Sequence, residues 1–288
     1  MRDAVTKAYY QVLQQKQETL PRLAGRLGAA ELEKAYLGLS KAKQSFLGTV
    51  VPSLTSKDIA EHALLFCASL PGILRPSFYE VTQFAVHHAV DDIHGKEASL
   101  ISDVDSLPRE ISRVPLEMSL KAASSESKVE LLISFASRLA EALKVGVQEF
   151  NGVGIDECVS MIGRRIDSFL SNLRRIVFTE LCSAYNFTQL LCYDEIFSDE
   201  SKFKLRWCER INDQTGKPMT GSVSEDSIAM HGQVAKPQEY FYGPDGGRWF
   251  HPPNRPYDHA VLMFWHPNLK DVPVWTHNPK GSKNASRA

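Results

Sequence analysis

The sequence lacks the features of several large protein classes. No apolar run approaches the roughly 20 residues that a membrane-spanning helix needs, and the opening residues, MRDAVTKAYYQVLQQKQ, contain no signal-peptide core. Cysteine is scarce: the chain has five, an odd number, and none is paired in CxxC spacing, which is typical of a reducing compartment. We therefore expect a protein that is made and kept in a cytoplasm and has no membrane partner.

An excess of charge of one sign is also missing. The 33 Lys and Arg residues almost balance the 34 Asp and Glu residues, so no global field marks the chain as a nucleic-acid binder. The first fifty residues do lean positive, through Arg2, Lys7, Lys16, Arg22, Arg26, Lys34, Lys41 and Lys43. This excess fits either a solvated helix face or a local contact with DNA.

Signature motifs of common enzymes are absent as well. The chain has no GxGxxG turn, no GxxxxGK[ST] phosphate loop, no GxSxG elbow and no HExxH pair. We therefore expect no cofactor, and the sequence favours a protein that is not an enzyme.

The hydrophobic pattern predicts a fold that changes near residue 200. Before it, apolar residues recur at helical spacing, with breaks predicted at Pro21 and at 70–76, and one long helix is expected from Gly154 to about Glu195. After it, the alternation in FKLRWCERIND and the short apolar run HAVLMFW predict strands. The prediction is an α+β fold, with a mostly helical N-terminal region, a long spine helix and a small C-terminal β-rich unit. The expected domains are a helical region at 1–153, the long helix with the β-rich unit at 154–270, and a flexible tail at 271–288.

Histidines and aspartates offer two weak candidates for a metal site. In the β-rich unit the candidates are His231, His251 and Asp213, which could instead be turn contacts between the stiff prolines of HPPNRPYDH. In the helical region His87, Asp91 and His94 share one helix face, which also fits an ordinary exposed last turn. We predict no metal at either place.

The order of short motifs between residues 170 and 266 is more specific than any one of them. It runs through a Thr-Glu and a following Asn on a helix, an Arg-Trp strand, an Asp with a Thr turn, a His-Gly, a Phe before a turn and a Pro-rich end. The residues are Thr179, Glu180, Asn186, Arg206, Trp207, Asp213, Thr215, His231, Gly232, Phe241, Pro252, Pro253 and Asn254. This order resembles the Mu F-like family of bacteriophage minor head proteins, also called phage head morphogenesis proteins.

The resemblance implies a virion structural protein near the portal vertex that acts in head assembly and DNA packaging. Its partners would be the phage portal protein, the major capsid protein or both, and the basic N-terminal residues could touch packaged DNA. The motif residues would then have structural roles. Two alternatives stay open: a metal-dependent hydrolase or toxin-like enzyme that uses the C-terminal His/Asp cluster, and a head-to-tail adaptor.

Overall fold

A computed structural model describes most of the chain, namely residues 4–48, 56–94, 107–108, 110–123, 155–197, 202–219, 223–254 and 258–274. The helices are α1 (Ala4–Gly48), α2 (Ser56–His94), α3 (Val114–Ala123), α4 (Ile155–Ile196) and α5 (Glu225–Met230). The strands are β1 (Lys204–Cys208), β2 (Val234–Ala235), β3 (Phe241–Tyr242), β4 (Arg248–Trp249) and β5 (Val261–Trp265). No helix in this described part is long and apolar enough to cross a membrane.

The predicted α+β class is confirmed. Long helices dominate the chain up to α4, and a small antiparallel sheet follows it. The predicted long helix is also confirmed as α4, which begins at Ile155 and ends at Ile196. Its C-terminal part, from Val177 onward, is buried on most sides. A helix surrounded in this way belongs to a core rather than to a surface.

Two predicted helix breaks are wrong. Helix α1 continues through Pro21, and α2 continues through the segment 70–76. A proline inside a helix removes one hydrogen bond and costs about 3 kcal/mol. In α1 the neighbouring side chains of Leu20 and Ala24 are buried, so tertiary packing offsets this local cost.

The sheet that follows α4 has the strand order β2-β1-β5, and both pairings are antiparallel. Strand β1 lies in the middle, with Trp207 opposite Leu262 and Arg206 opposite Met263. Strands β3 and β4 form a separate hairpin, in which Phe241 pairs with Trp249. The predicted apolar strand HAVLMFW is therefore confirmed as β5, and its residues Val261 to Phe264 are buried.

The chain divides into two compact units. Unit 1 consists of Met1–Ala24, Glu80–Ser119 and Thr179–Ala288, and unit 2 consists of Gly25–Tyr79 and Leu120–Phe178. Unit 1 thus combines the start of α1 with the sheet, whereas the sequence separates residues 1–153 from 154–270. The domain boundaries drawn from the sequence stay a prediction.

The core of unit 1 is assembled from three helix faces and the sheet. On α1 the buried apolar residues Tyr9, Leu13, Leu20 and Ala24 recur at helical spacing. Strand β5 and the buried part of α4 supply further apolar side chains to this unit. After β5 the chain stays packed: Val272 is buried, although the sequence assigns it to a flexible tail. The rest of that predicted tail, 275–288, lies outside the described residues.

Candidate functional site: buried polar clusters

The structure brings many motif residues together in unit 1. Asn186, Trp207, Asp213, His231 and Phe241 are buried. The Trp207 and Phe241 rings meet edge to face at 5.4 Å, and the backbone N–H of Gly232 donates to the carbonyl oxygen of Trp207 at 2.8 Å. These residues therefore join β1, the turn after α5 and the β3–β4 hairpin.

The remaining motif residues lie nearer the surface. Thr179, Glu180, Pro253 and Asn254 are half-buried, and Thr215 is exposed in the turn after Asp213. The hydroxyl of Thr215 accepts a hydrogen bond from the backbone N–H of Lys217 at 3.3 Å, so it stabilises that turn. Pro253 follows Pro252 through a cis peptide bond.

Asp213 is the centre of the first polar cluster, which we call the Arg206 cluster and which comprises Tyr10, Arg206, Asp213 and His231. Arg206 Nη2 donates to Asp213 Oδ1 at 2.5 Å, and His231 Nε2 lies 2.7 Å from the same oxygen. The hydroxyl of Tyr10 donates to Asp213 Oδ2 at 2.7 Å. Three donors from α1, β1 and the turn after α5 thus converge on one carboxylate.

These contacts fix the protonation of the cluster. Burial alone would raise the pKa of Asp213, but the hydrogen bond with His231 and the charge of Arg206 hold that pKa well below its usual range. The other ring nitrogen of His231, Nδ1, accepts a hydrogen bond from the backbone N–H of Glu209 at 3.1 Å. Nδ1 therefore carries no proton, and His231 is a neutral imidazole that donates from Nε2.

A second group of polar side chains lies between α1, α2 and α4, and we call Lys16, Asp92, Gln189 and Tyr193 the Lys16 cluster. The ammonium of Lys16 contacts the Asp92 carboxylate, and the exposed fractions of these two side chains are 1% and 4%. Lys16 Nζ also donates to Gln189 Oε1 at 3.0 Å and to the Tyr193 hydroxyl at 3.1 Å. The charge pair joins α1 to α2, and Gln189 and Tyr193 attach α4 to it, so the cluster connects three helices.

The Lys16 cluster was not predicted from the sequence. Lys16 belongs to the basic excess of the first fifty residues, and the helix face that stands out in the sequence carries His87 and Asp91, which are exposed. A signal was present in the pattern, since Lys16 falls among the apolar positions of α1. Asp92 in the same way falls beside the buried Ala89 and Ile93 of α2.

Asn186, a motif residue on α4, holds the outer edge of β5. Its Oδ1 accepts from the backbone N–H of Leu262 at 3.0 Å, and its Nδ2 donates to the carbonyl oxygen of Ala260 at 3.1 Å. Lys16 Nζ completes this edge by donating to the carbonyl oxygen of Leu262 at 3.1 Å. Helix side chains thus provide the hydrogen bonds that another strand would otherwise provide.

Glu209 and Asp258 form a buried carboxyl pair beside β1. Trp207 Nε1 donates to Glu209 Oε1 at 2.9 Å, and the backbone N–H groups of Asn254 and Ala260 donate to Asp258 at 3.2 and 3.0 Å. Burial raises the pKa of Glu209 well above its usual range, and the neighbouring Asp258 raises it further. Burial and the neighbouring carboxyl group therefore both disfavour the charged form of Glu209.

The three metal candidates are not all brought together. Asp213 and His231 are hydrogen-bonded, whereas His251 packs its ring 5.4 Å from that of Phe187 and lies 2.6 Å from the carbonyl oxygen of Pro252 through Nδ1. Within the described ranges, no group of three or more His, Cys, Asp or Glu side chains is arranged to hold a metal ion. Cys182, Cys192 and Cys208 are buried free thiols.

Chemically, most polar groups of the two clusters satisfy one another, although Gln189 Nε2 is buried and has no hydrogen-bond partner among the described residues. The donors of the Arg206 cluster point at Asp213, and those of Lys16 point at Asp92, Gln189, Tyr193 and Leu262. Such networks specify how elements dock, because each buried group that loses its partner costs about 1–3 kcal/mol. A scan against protein-family models, a search of curated proteins and a search of solved structures each find no significant match for this chain.

Proposed function

We propose that the protein is a structural component of a bacteriophage virion, a minor head protein that acts near the portal vertex during head assembly and DNA packaging. The observation that supports this proposal is the convergence of the motif residues in unit 1. Residues as far apart in sequence as Asn186, Trp207, His231 and Phe241 are buried in the same unit. This convergence suits a family motif that specifies a fold rather than a reaction.

In this proposal the polar motif residues position the sheet on the helices. Asp213 receives donors from three elements, and Asn186 attaches β5 to α4. These side chains are engaged with one another and with the backbone. The partners would be the portal protein, the major capsid protein or both, and the protein would reside in the virion after assembly in the host cytoplasm.

The proposal includes contact between the N-terminal helix and packaged DNA. The charge of Lys16 is buried against Asp92, so it does not add to the basic surface of the first fifty residues. Lys7, Arg22 and Arg26 are exposed on α1. If these three residues bind DNA, replacing them with Gln should lower the affinity and reduce its salt dependence.

The first experiment is co-expression of the full chain with the portal protein of the same phage, followed by size-exclusion chromatography with mass measurement. We expect co-elution at a defined ratio, and we expect the protein in purified procapsids by peptide mass spectrometry. A chain that elutes alone and is missing from procapsids would contradict the proposal. Recovery from tails or head–tail joints instead of procapsids would favour the head-to-tail adaptor.

The enzyme alternative makes a different prediction for the Arg206 cluster. In a metal-dependent hydrolase, His231→Gln would abolish activity and metal binding while the fold persists. In a structural protein the same change mainly lowers the free energy of unfolding. Stoichiometric zinc in the purified chain, together with its loss in His231→Gln, would overturn the structural proposal.

A further inference from the structure

The Lys16 cluster holds an amine directly against a carboxyl group in the interior of unit 1. Lys16 lies on α1 and Asp92 on α2, and both belong to the same unit. Both side chains are buried, so bulk water does not compete for their contact. Gln189 Oε1, the Tyr193 hydroxyl and the Leu262 carbonyl oxygen hold the Lys16 nitrogen in place from other sides.

Burial favours the uncharged forms of both partners. It lowers the pKa of Lys16 below its usual range, and the charge of Asp92 offsets this only in part. It raises the pKa of Asp92, and Lys16 and Tyr193 oppose this only in part. An uncharged amine is a nucleophile, and a protonated carboxyl group can lose its hydroxyl as water. Burial therefore lowers the cost of moving a proton from the Lys16 ammonium to the Asp92 carboxylate, and that transfer produces the two species that can react with each other.

Tyr193 offers a route for the proton that such a reaction must move. Its hydroxyl accepts a hydrogen bond from Lys16 Nζ at 3.1 Å and donates one to Asp92 Oδ2 at 2.5 Å. It can thus take a proton from the attacking amine while it gives one to the departing oxygen. The His88 ring, which lies 2.8 Å from the hydroxyl of the neighbouring Tyr185, is kept neutral because burial lowers its pKa to about 4.

We propose that Lys16 and Asp92 condense spontaneously to form an isopeptide bond that joins α1 to α2. The Lys16 Nζ–Asp92 Cγ bond forms, the bond from Cγ to one carboxyl oxygen breaks, and that oxygen leaves as water with one proton from the acid and one from the amine. No oxidant, reductant or activating cofactor is required. The bond would link residue 16 covalently to residue 92 and would remove two buried charges. This inference does not depend on the virion function.

The test is the intact mass of the full chain, measured by electrospray mass spectrometry after complete denaturation. We expect a mass lower than that of the sequence by one water molecule, and a branched peptide joining the Lys16 and Asp92 segments after proteolysis. Incubation of freshly purified protein should raise the cross-linked fraction until it is nearly complete. A full mass that persists through this incubation, with no branched peptide, would overturn the proposal.

Matched variants distinguish the loss of water at Lys16 and Asp92 from a loss of water elsewhere in the chain. Lys16→Arg and Asp92→Ala should keep the full mass, whereas Lys7→Arg, which changes an exposed lysine of the same helix, should lose water as the wild type does. Tyr193→Phe should slow the condensation at least tenfold if the hydroxyl transfers the proton. If Lys16→Arg does not fold, the branched peptide of the wild type still decides the matter. Loss of water that remains in a folded Lys16→Arg chain would contradict the assignment.

Discussion

His231 is fixed in one protonation state by two hydrogen bonds, one that it accepts and one that it donates. It accepts from the backbone of Glu209 through Nδ1 and donates to Asp213 through Nε2. Burial lowers the pKa of His231, the hydrogen bond with Asp213 raises it, and the charge of Arg206 lowers it, so that the net shift is downward. A proton on Nδ1 would also break the bond from the Glu209 backbone.

Stability should therefore fall as the solution becomes mildly acidic. In the unfolded chain a histidine takes up a proton below about pH 6.5, whereas His231 in the folded protein stays neutral to a lower pH. The unfolded state then binds more protons than the folded state. Each additional proton steepens the pH dependence of the free energy of unfolding by up to about 1.4 kcal/mol per pH unit. This contribution is fully present above about pH 6.5 and is lost as the pH falls toward the folded pKa.

The measurement is the free energy of unfolding by urea between about pH 5 and 7. We expect a shallower pH dependence for His231→Gln than for the wild type, in addition to a lower stability at every pH. His87→Gln, which changes an exposed histidine of α2, is the control and should leave the slope unchanged. Equal slopes for wild type and His231→Gln would contradict the neutral assignment.

At this scale the sequence indicates which polar residues matter better than it indicates their partners. Asp213 and His231 stand out in the motif order, and the structure joins them. Tyr10 and Arg206 complete the cluster from 203 and 7 residues away. Lys16 and Asp92 escaped notice because charged residues are rarely buried, so a lysine in a helical pattern is normally assigned to the surface. Pairing across folded helices is a tertiary fact that local spacing does not encode.

Strand β5 shows how an element can be specified by residues outside it. Its run of apolar residues predicted a strand, but the strand needs partners on both edges. Strand β1 supplies one edge, and Asn186 with Lys16 supplies hydrogen bonds on the other. The helix break predicted at Pro21 is wrong for a related reason, since the packing around Pro21 outweighs the local preference of proline to end a helix.

Removing the Asn186 side chain should therefore cost more than removing a similar one at the surface. In Asn186→Ala the N–H of Leu262 and the carbonyl of Ala260 lose buried partners, and we expect a loss of about 2–4 kcal/mol. Asn212→Ala is the matched control, because Asn212 Oδ1 also accepts backbone N–H groups, at 2.9 and 3.1 Å, but in an exposed turn where water can replace it. We expect less than about 1 kcal/mol there. Similar losses in urea unfolding would show that the β5 edge does not depend on Asn186.

At the scale of the whole molecule, unit 1 consists of segments that are far apart in the chain. Its first segment, Met1–Ala24, supplies core side chains and both polar clusters receive a residue from it. The boundary that the sequence suggests between residues 153 and 154 reflects the predicted start of the long helix after Gly154, whereas the change from helical periodicity to strand alternation falls near residue 200. The local hydrophobic pattern indicates secondary structure and carries little information on which distant segments share a core.

Deletion of residues 1–24 should therefore destabilise the C-terminal sheet, although it removes no strand. Tyr9, Leu13 and Leu20 are 2%, 6% and 1% exposed, and burying each such side chain contributes about 1.5–3 kcal/mol. Their combined loss, with those of Lys16 and Tyr10, approaches the total stability of about 5–15 kcal/mol that is usual for a domain. The chain has four tryptophans, all after residue 200, and Trp207 is fully buried. In urea unfolding followed by tryptophan fluorescence, we expect the truncated chain to lose the cooperative transition that these tryptophans report. A synthetic peptide of residues 1–24 should restore it when added in excess. If the truncated chain unfolds at the same urea concentration and as steeply as the full chain, the N-terminal segment is dispensable and the boundary suggested by the sequence is the physical one.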